Sequence, residues 1–520
     1  MRKLLYTTVF FSGLVSLAVE MTASRLLGNF FGTSNLVWAS IIGLILIYLT
    51  VGYFLGGWWS DRSPHFSTFF RVLVWGAFTV GLIPLISRPI LRLASDAFSQ
   101  YQLGILFGSF AAVMVLFSIP VTLLGTASPF AIRLAIEDTA QAGKVSGRIY
   151  AISTLGSFIG TFLPTLILIP WIGTYRTFLV ISALLLIVAF YGVWRTINFT
   201  AVLVYLWMPL VLILLAIFGT MGTDKSTPGL VYEGESAYNY IQVQNVDGYT
   251  LLKLNEGEGY HSIYKPDQLF FGGPWEQVLA APFYNPAPYS LSNVKRIAIV
   301  GLAAGTTARQ ATAVYGDVPI DGYEIDPLIV SVARKYFDMN EPNLNVIIQD
   351  GRVGLEHSTN KYQIISVDAY RPPYIPWQLT TREFFQIVYD HLTPDGAMVI
   401  NVGRSLTDRS LVNGLYNTIR SVFPSAYVVD IPNTFNSIIY ATASPTDSAN
   451  LAANYEILYN HQQSVNPLLL QVLQVALENS QPLPGLNPSL VYTDDRAPIE
   501  WITNRMVLDF VFSNQVEKLQ

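Results

Sequence analysis

Residues 296–310 read RIAIVGLAAGTTARQ, and this stretch decides the fold. Four or five apolar, largely β-branched residues run into a glycine, a second glycine follows four positions later, and a Thr/Ala-rich segment without breakers comes next. A short apolar run bounded by glycine is a buried strand, and the segment beyond it is a helix. Gly301 and Gly305 allow the tight turn and close backbone approach that such a junction needs, and the helix that follows presents free N–H groups.

Working outward, the same unit repeats. Strand-like runs lie at Arg296–Leu302, Pro319–Glu324, Asn345–Gln349, Tyr362–Val367 and Ala397–Val402, with two more at Tyr427–Asp430 and Ser437–Ala443. Helical stretches lie between them at Thr306–Tyr315, Pro327–Phe337, Thr381–His391 and Ser410–Phe423. The alternation predicts a doubly wound, mostly parallel α/β sheet of Rossmann-like type, with its ligand beyond the C-terminal strand ends. Those ends carry acids. The second strand ends in Glu324, nineteen residues past Gly305, where an acid meets ribose hydroxyls in such folds. The third runs into Asp350-Gly351-Arg352, where a carboxylate can accept from an adenine amino group, and the fourth into Asp368-Ala369-Tyr370. Four such ends in register point to an adenosine-containing ligand. The G-x-x-x-G spacing departs from the G-x-G-x-x-G of dinucleotide sites, and the acid pattern fits S-adenosylmethionine-type proteins instead.

The preceding 200 residues are of another kind. The 520-residue chain is 52% hydrophobic and 12% charged, against about 25% charged in ordinary soluble proteins. Residues 1–222 hold 12 basic and 5 acidic residues, a balance of +7, whereas the remainder has a balance of −12 within the overall −5. A bilayer core of about 30 Å takes roughly 20 apolar helical residues. About seven stretches reach that length, near 4–27, 35–57, 69–87, 104–132, 148–172, 175–194 and 200–220. Arg2 and Lys3 before the first run resemble the start of a signal peptide, but no small-x-small cleavage site follows, so it is read as a span. Gly52/Gly56 and Gly156/Gly160 are spaced for close helix packing. Glu20, inside the first span, is costly in hydrocarbon and hence a candidate for function. Three regions are expected: a helical membrane domain over 1–222, a linker and small β-sheet over 223–290, and the Rossmann-like domain over 291–520. Residues 221–235 read as a polar connector, residues 236–267 as a hairpin or small antiparallel sheet, and Trp275–Phe283 as a helix.

Cysteine is absent and the five histidines are scattered, so disulfides, thiol catalysis, zinc ribbons and a histidine metal site are excluded. The charge balance gives no basic footprint for nucleic acid.

The segments GESAYNYIQV (234–243), IAIVGLAAGTTARQ (297–310), GYEIDP (322–327), IIQDGR (347–352), ISVDAYRPP (365–373), LTTREFF (379–385) and LTPDGAMVINV (392–402) together resemble the spermidine synthases. The resemblance is to the membrane-embedded bacterial branch, and it covers about residues 232–445. It implies an aminopropyltransferase on a methyltransferase-type fold. Decarboxylated S-adenosylmethionine would be the co-substrate, putrescine or a related amine the acceptor, and methylthioadenosine the product, with no tightly bound cofactor and no metal. Carried onto this sequence, Gly301, Gly305, Glu324, Asp350, Gly351 and Asn239 would hold the donor. Tyr238, His261, Tyr370 and Asp368 would hold the amine, and Asp368 would act as the base. The partners implied are a polyamine and the lipid bilayer, and a homodimer is left open.

The chain departs from the family in three places. Ala303 and Ala304 stand in the glycine loop where the family has an aspartate. Asp368-Ala369-Tyr370-Arg371 replaces D-S-S-D, and Asn239 replaces a glutamine. Glu258 and Tyr260 are further candidates, and Arg371 would suit the carboxylate of intact S-adenosylmethionine. The segment Tyr492–Glu500, with the three acids Asp494, Asp495 and Glu500, is read as a helix start capped by Thr493 or Asp494, or as acids folded back over the pocket. An S-adenosylmethionine-dependent methyltransferase and a non-catalytic nucleoside or polyamine sensor or transporter are the alternatives. Orientation holds a conflict. Eight cations, among them Arg2, Arg133 and Arg195, fall on the N-terminal side and only Arg88, Arg92 and Arg176 opposite, which puts the N-terminus in the cytoplasm. Seven spans then put the catalytic half outside, away from a cytosolic donor.

Overall fold

The computed structural model describes residues 1–31, 35–100, 104–219, 223–225, 227–255, 259–370, 375–405 and 407–512. The chain divides into two compact units, Met1–Ser226 and Thr227–Gln520.

The first unit is helical, in keeping with its apolar runs. Its elements are α1 (Arg2–Phe31), α2 (Asn35–Arg62), α3 (Phe66–Gln100), α4 (Gly104–Gly125), α5 (Ala127–Ala135), α6 (Ala142–Leu163), α7 (Ile169–Thr196), α8 (Phe199–Leu203) and α9 (Trp207–Leu214). Among the described residues, 6 helical stretches are long and apolar enough to cross a membrane. The fifth, Ala142–Thr196, has 55 residues, which at 1.5 Å per residue is about 80 Å and far exceeds one crossing. It is broken at Gly173, whose φ of 78° and ψ of 170° lie outside any helix. The sequence expectation of about seven apolar segments thus corresponds to six helical stretches, with the fifth divided by a glycine.

Packing follows the small residues. A Cβ on Gly156 would stand 2.0 Å from the Phe10 carbonyl oxygen, and one on Gly160 2.0 Å from that of Leu14. These contacts climb together along both chains, so α1 and α6 run parallel with their backbones in contact. Gly160→Val is expected to force the pair apart and to cost about 1–3 kcal/mol, read as earlier unfolding in detergent. Gly43→Ala, at a position where an added Cβ meets nothing within 4 Å, is the control.

The ends of the bundle differ. At the end carrying the α1 N-terminus, Arg2 pairs with Glu137 at 2.6 Å and Arg133 with Asp61 at 3.2 Å, and Arg148 lies 4.8 Å over the Tyr6 ring. Residues 223–225 are held at the other end. There Arg88 Nε meets Asp224 Oδ1 at 2.9 Å, Arg92 Nε donates to the Asp224 carbonyl at 2.7 Å, and the Lys225 ammonium lies 5.8 Å over Phe30. The chain therefore enters this unit at one end and leaves at the opposite one.

The second unit opens with an antiparallel sheet in the order β1 (Leu230–Glu235), β2 (Tyr240–Val246), β3 (Tyr249–Leu254) and β4 (Ser262–Tyr264). The supposed connector therefore contains a strand. Its Glu-Gly-Glu ending hides the alternation, but Glu233 pairs with Gln242 and Tyr232 packs on the Tyr336 ring at 5.6 Å. Asp247 and Gly248 both have positive φ and close the β2–β3 hairpin. Trp275–Tyr284 is a 3₁₀ helix, buried from Glu276 onward.

The large sheet follows: β5 (Ile297–Val300), α10 (Thr306–Tyr315), β6 (Ile320–Glu324), α11 (Pro327–Tyr336), β7 (Leu344–Ile348), α12 (Gly351–Glu356), β8 (Tyr362–Val367), α13 (Arg382–His391), β9 (Leu392–Gly403), α14 (Ser410–Arg420), β10 (Ser425–Asp430) and β11 (Asn436–Thr442). Strand order is β10-β11-β9-β8-β5-β6-β7, and β11 runs antiparallel between its neighbours. The central strands β5 and β8 are buried along their whole length, in keeping with the wholly apolar run of β5 and the largely apolar one of β8. One face packs against α10, α11, the 275–284 helix, α15 (Ala449–Asn460) and α16 (Pro467–Glu478). The other packs against α13, α14 and α17 (Ile499–Phe512).

Candidate active site

The site is built where strand order reverses. β5 lies between β8 and β6, and β7 flanks β6. Asp368, the Gly301–Gly305 turn, Glu324 and Asp350 therefore form a row along one sheet end, in that order. Three strand spacings make it about 14 Å long, enough for an adenosine with a short chain on its 5′ side.

Gly301 has φ 91°, and a Cβ there would stand 2.5 Å from the Asp368 carbonyl oxygen and 2.7 Å from Ala369 Cα. The turn thus presses against the residues after β8. Ala303 takes a left-handed φ of 48°, which aims its N–H at Glu324 Oε2, 2.9 Å away. Gly305, φ 82°, precedes the first residue of α10. The small sheet is stitched to this turn, because Ser262 Oγ accepts from Ala304 N–H at 2.9 Å and the Thr306 hydroxyl bridges the Ile263 N–H and carbonyl.

Glu324 Oε1 accepts from Asp326 N–H at 3.0 Å. Burial pushes its carboxyl up to about 7, against the pull of these backbone N–H donors. Asp350 caps α12, its Oδ1 accepting from the N–H groups of Arg352 and Val353 at 3.0 and 3.1 Å. Gly351 sits so close to Val300 that a Cβ would lie 2.5 Å from Cγ1.

Asp368 is the focus at the other end of the row. Asn401, on the adjoining β9, donates from Nδ2 to Asp368 Oδ1 at 3.0 Å, and the Tyr370 hydroxyl donates to the Asn401 carbonyl at 3.1 Å. Burial pushes the Asp368 carboxyl up to about 6, and the Asn401 bond pulls it back. Burial also raises the Tyr370 phenol, so it stays protonated. The Asn401 side chain is only 8% exposed, and its Oδ1 is buried without a hydrogen-bond partner. An acceptor left unmatched beside a half-buried carboxylate suits a donor that arrives with substrate. Sequence reading missed Asn401. Its signal was a polar residue inside the apolar run AMVINV.

The remaining candidates sort as follows. Asn239, expected on the donor, has its amide committed to protein: Nδ2 donates to Asp326 Oδ2 at 2.9 Å, and Oδ1 accepts from Asn255 at 3.1 Å. Fully buried Asp326 also accepts from Ser236 Oγ at 2.5 Å and from Leu328 N–H, which makes it the joint between the small sheet and β6. Tyr238 is 43% exposed in the turn so fixed. His261 adjoins Ser262, and burial lowers its imidazole to about 4, which leaves it uncharged near neutrality. Glu258 and Arg371 lie outside the described residues.

The Tyr492–Glu500 segment does start a helix, with Glu500 in its first turn, but later than Thr493 or Asp494, and Asp494 is tied up in an ion pair. α17 begins only at Ile499. Asp494 is held by both Arg352 guanidinium nitrogens at 2.8 and 2.7 Å and by the Thr381 hydroxyl at 2.7 Å. Among the described residues no group of three or more His, Asp or Glu side chains could hold a metal ion.

A sheet of this order, with acids and a glycine turn at the switch between β5 and β8, has the Rossmann-like topology of class I methyltransferase-type folds. Residues 285–453 match the Spermine/spermidine synthase domain family. A "Probable polyamine aminopropyl transferase" of Bifidobacterium longum is 35% identical over 282 residues, 52% of this chain and 61% of that protein. A "Polyamine aminopropyltransferase" of Oceanobacillus iheyensis is 24% identical over 406 residues, 72% of this chain and 74% of that one. The structure of spermidine synthase from Thermotoga maritima aligns with 49% of this chain and 84% of its own, at 20% identity and a TM-score of 0.39. The second unit is thus similar to spermidine synthases, and the chain spans 61% of the length of the Bifidobacterium relative.

Proposed function

We propose that the second unit transfers an aminopropyl group from decarboxylated S-adenosylmethionine to putrescine or a related amine, and that the first unit holds it in a membrane. The observation carrying this reading is the half-buried Asp368 carboxylate, oriented by Asn401 at the 5′ end of a nucleoside-sized row. The relatives' names point to the same chemistry.

An amine arrives as an ammonium, which has no lone pair. Asp368, ionised above pH about 6, takes one proton. The freed lone pair forms a C–N bond to the methylene beside the sulfonium as the C–S bond breaks. That bond's electrons go to sulfur, and methylthioadenosine leaves with a neutral thioether. Glu324 holds the ribose and Asp350 Oδ2 the adenine amino group, while Asn401 Oδ1 accepts from the acceptor amine. Neutral His261 leaves the acceptor side without a competing cation. Alignment of both substrates on one sheet end supplies proximity.

The membrane role rests on the six apolar helical stretches. The cation-rich end of the bundle faces the cytoplasm under the positive-inside rule, with residues 223–225 at the opposite end.

Full-length protein in detergent, given decarboxylated S-adenosylmethionine and a panel of di- and triamines, is expected to release methylthioadenosine and a longer polyamine in equal amounts. Methyl transfer from intact S-adenosylmethionine, with no turnover of the decarboxylated form, would overturn the assignment.

A further inference from the structure

A groove of about 500 Å³ lies between the start of α1 and the end of α7, and Lys3, Leu4, Thr7, Ile187, Tyr191 and Arg195 are among its lining residues. Its chemistry changes along its length. Arg195 is the next-to-last residue of α7, and Ile187 lies eight residues earlier, which is about 12 Å along the axis. One end of the groove is therefore cationic and the other apolar.

Lys3 and Arg195 have no carboxylate partner among the described residues, although Arg2 and Arg133 at the same end of the bundle do. Ile187 is 67% exposed and Tyr191 47%. The Tyr191 ring meets Trp194 edge-on at 5.9 Å, and Trp194 meets Phe199 at 6.3 Å. Such a chain of aromatic rings marks the level where hydrocarbon gives way to headgroups. The α1 N-terminus adds a partial positive charge. Two cations and a phenol hydroxyl above an apolar wall, at that depth, match an anion that carries a hydrocarbon tail.

We propose that this groove binds an anionic glycerophospholipid, with its phosphate between Lys3 and Arg195 and an acyl chain along Leu4 and Ile187. The inference rests on the membrane reading of the first unit. A choline headgroup would bring its own cation against both side chains, so the site discriminates by headgroup charge.

The test takes full-length protein in two stages. Carbonate washing of membranes comes first. Retention in the pellet upholds the membrane reading, and release overturns that reading and this inference together. Delipidated protein in mild detergent is then titrated with phosphatidylglycerol, phosphatidylcholine or inorganic phosphate. Thermal midpoint and lipid adducts in native mass spectrometry are the readouts. Phosphatidylglycerol is expected to bind at least about tenfold more tightly than phosphatidylcholine. Inorganic phosphate at the same concentration should leave the midpoint unchanged. The double variant Lys3→Gln/Arg195→Gln should lose the preference while its lipid-free midpoint stays native, and Lys3→Arg/Arg195→Lys should keep it. Equal response to both lipids, an equal shift with inorganic phosphate, or a preference that survives the Gln variant would each overturn the lipid site while leaving the membrane reading intact.

Discussion

Asp368→Asn is expected to lower turnover about 10²–10⁴-fold and at the same time to make the second unit more stable. Both effects come from the same burial. The amide keeps the size of the carboxylate and can still meet Asn401, but it cannot take a proton from an ammonium. The folded-state pKa of Asp368, about 6, lies above the ordinary 3.8. A group raised in this way favours the fold below pH about 4, and that contribution is lost as pH climbs through 6. At neutral pH the ionised side chain therefore costs about 1–3 kcal/mol, which the neutral amide does not incur. Thermal unfolding at pH 7.5 and at pH 4 should show the variant ahead of the native protein only at the higher pH. The native kcat/KM should fall about tenfold per unit below pH 6 as the base is protonated, and the residual rate of the variant should be flat there. A variant within tenfold of native turnover would remove Asp368 from the base role.

The second large effect is expected at Gly301. Its φ of 91° is a conformation that side-chain-bearing residues rarely hold, and a Cβ would strike the Asp368 carbonyl at 2.5 Å. Gly301→Val combines backbone strain of about 1–3 kcal/mol with overpacking of similar size. The steric push falls on the segment that carries Asp368 and Ala369. Donor binding should weaken by at least about a hundredfold if the strain is released by moving the turn (about 2.8 kcal/mol at 1.4 per decade). Calorimetry with decarboxylated S-adenosylmethionine reads that loss, and far-ultraviolet circular dichroism separates it from global unfolding. The milder Gly301→Ala should fall between native and valine. Native donor affinity in the alanine variant would show that the turn does not shape the site.

What could be read in the sequence follows from burial. Glu324, Asp350 and Asp368 stood out because each falls at or just beyond the end of a strand-like run, and the run of β5, buried on both faces, is wholly apolar. α10 was legible to its ends, since Gly305 and Gly316 bracket it. β1 was not, because an edge strand that is mostly half-buried needs no clean alternation. Asn401 escaped because its value lies in a neighbour one strand away, and strand adjacency is not written in local sequence. The bond from the Asn239 amide to Asp326 was hidden for the same reason: the two lie 87 residues apart. The division at Gly173 was legible only as two hydrophobic lengths.

The grip of Asp494 on Arg352 ties distant parts of the chain together. Arg352 is the second residue of α12, the helix that Asp350 caps. A polypeptide truncated before Tyr492 would retain every strand of the sheet, yet that helix would lose the strut holding its first turn. The first turn of α12, and Asp350 at its cap, therefore lean on a segment 142 residues further along the chain.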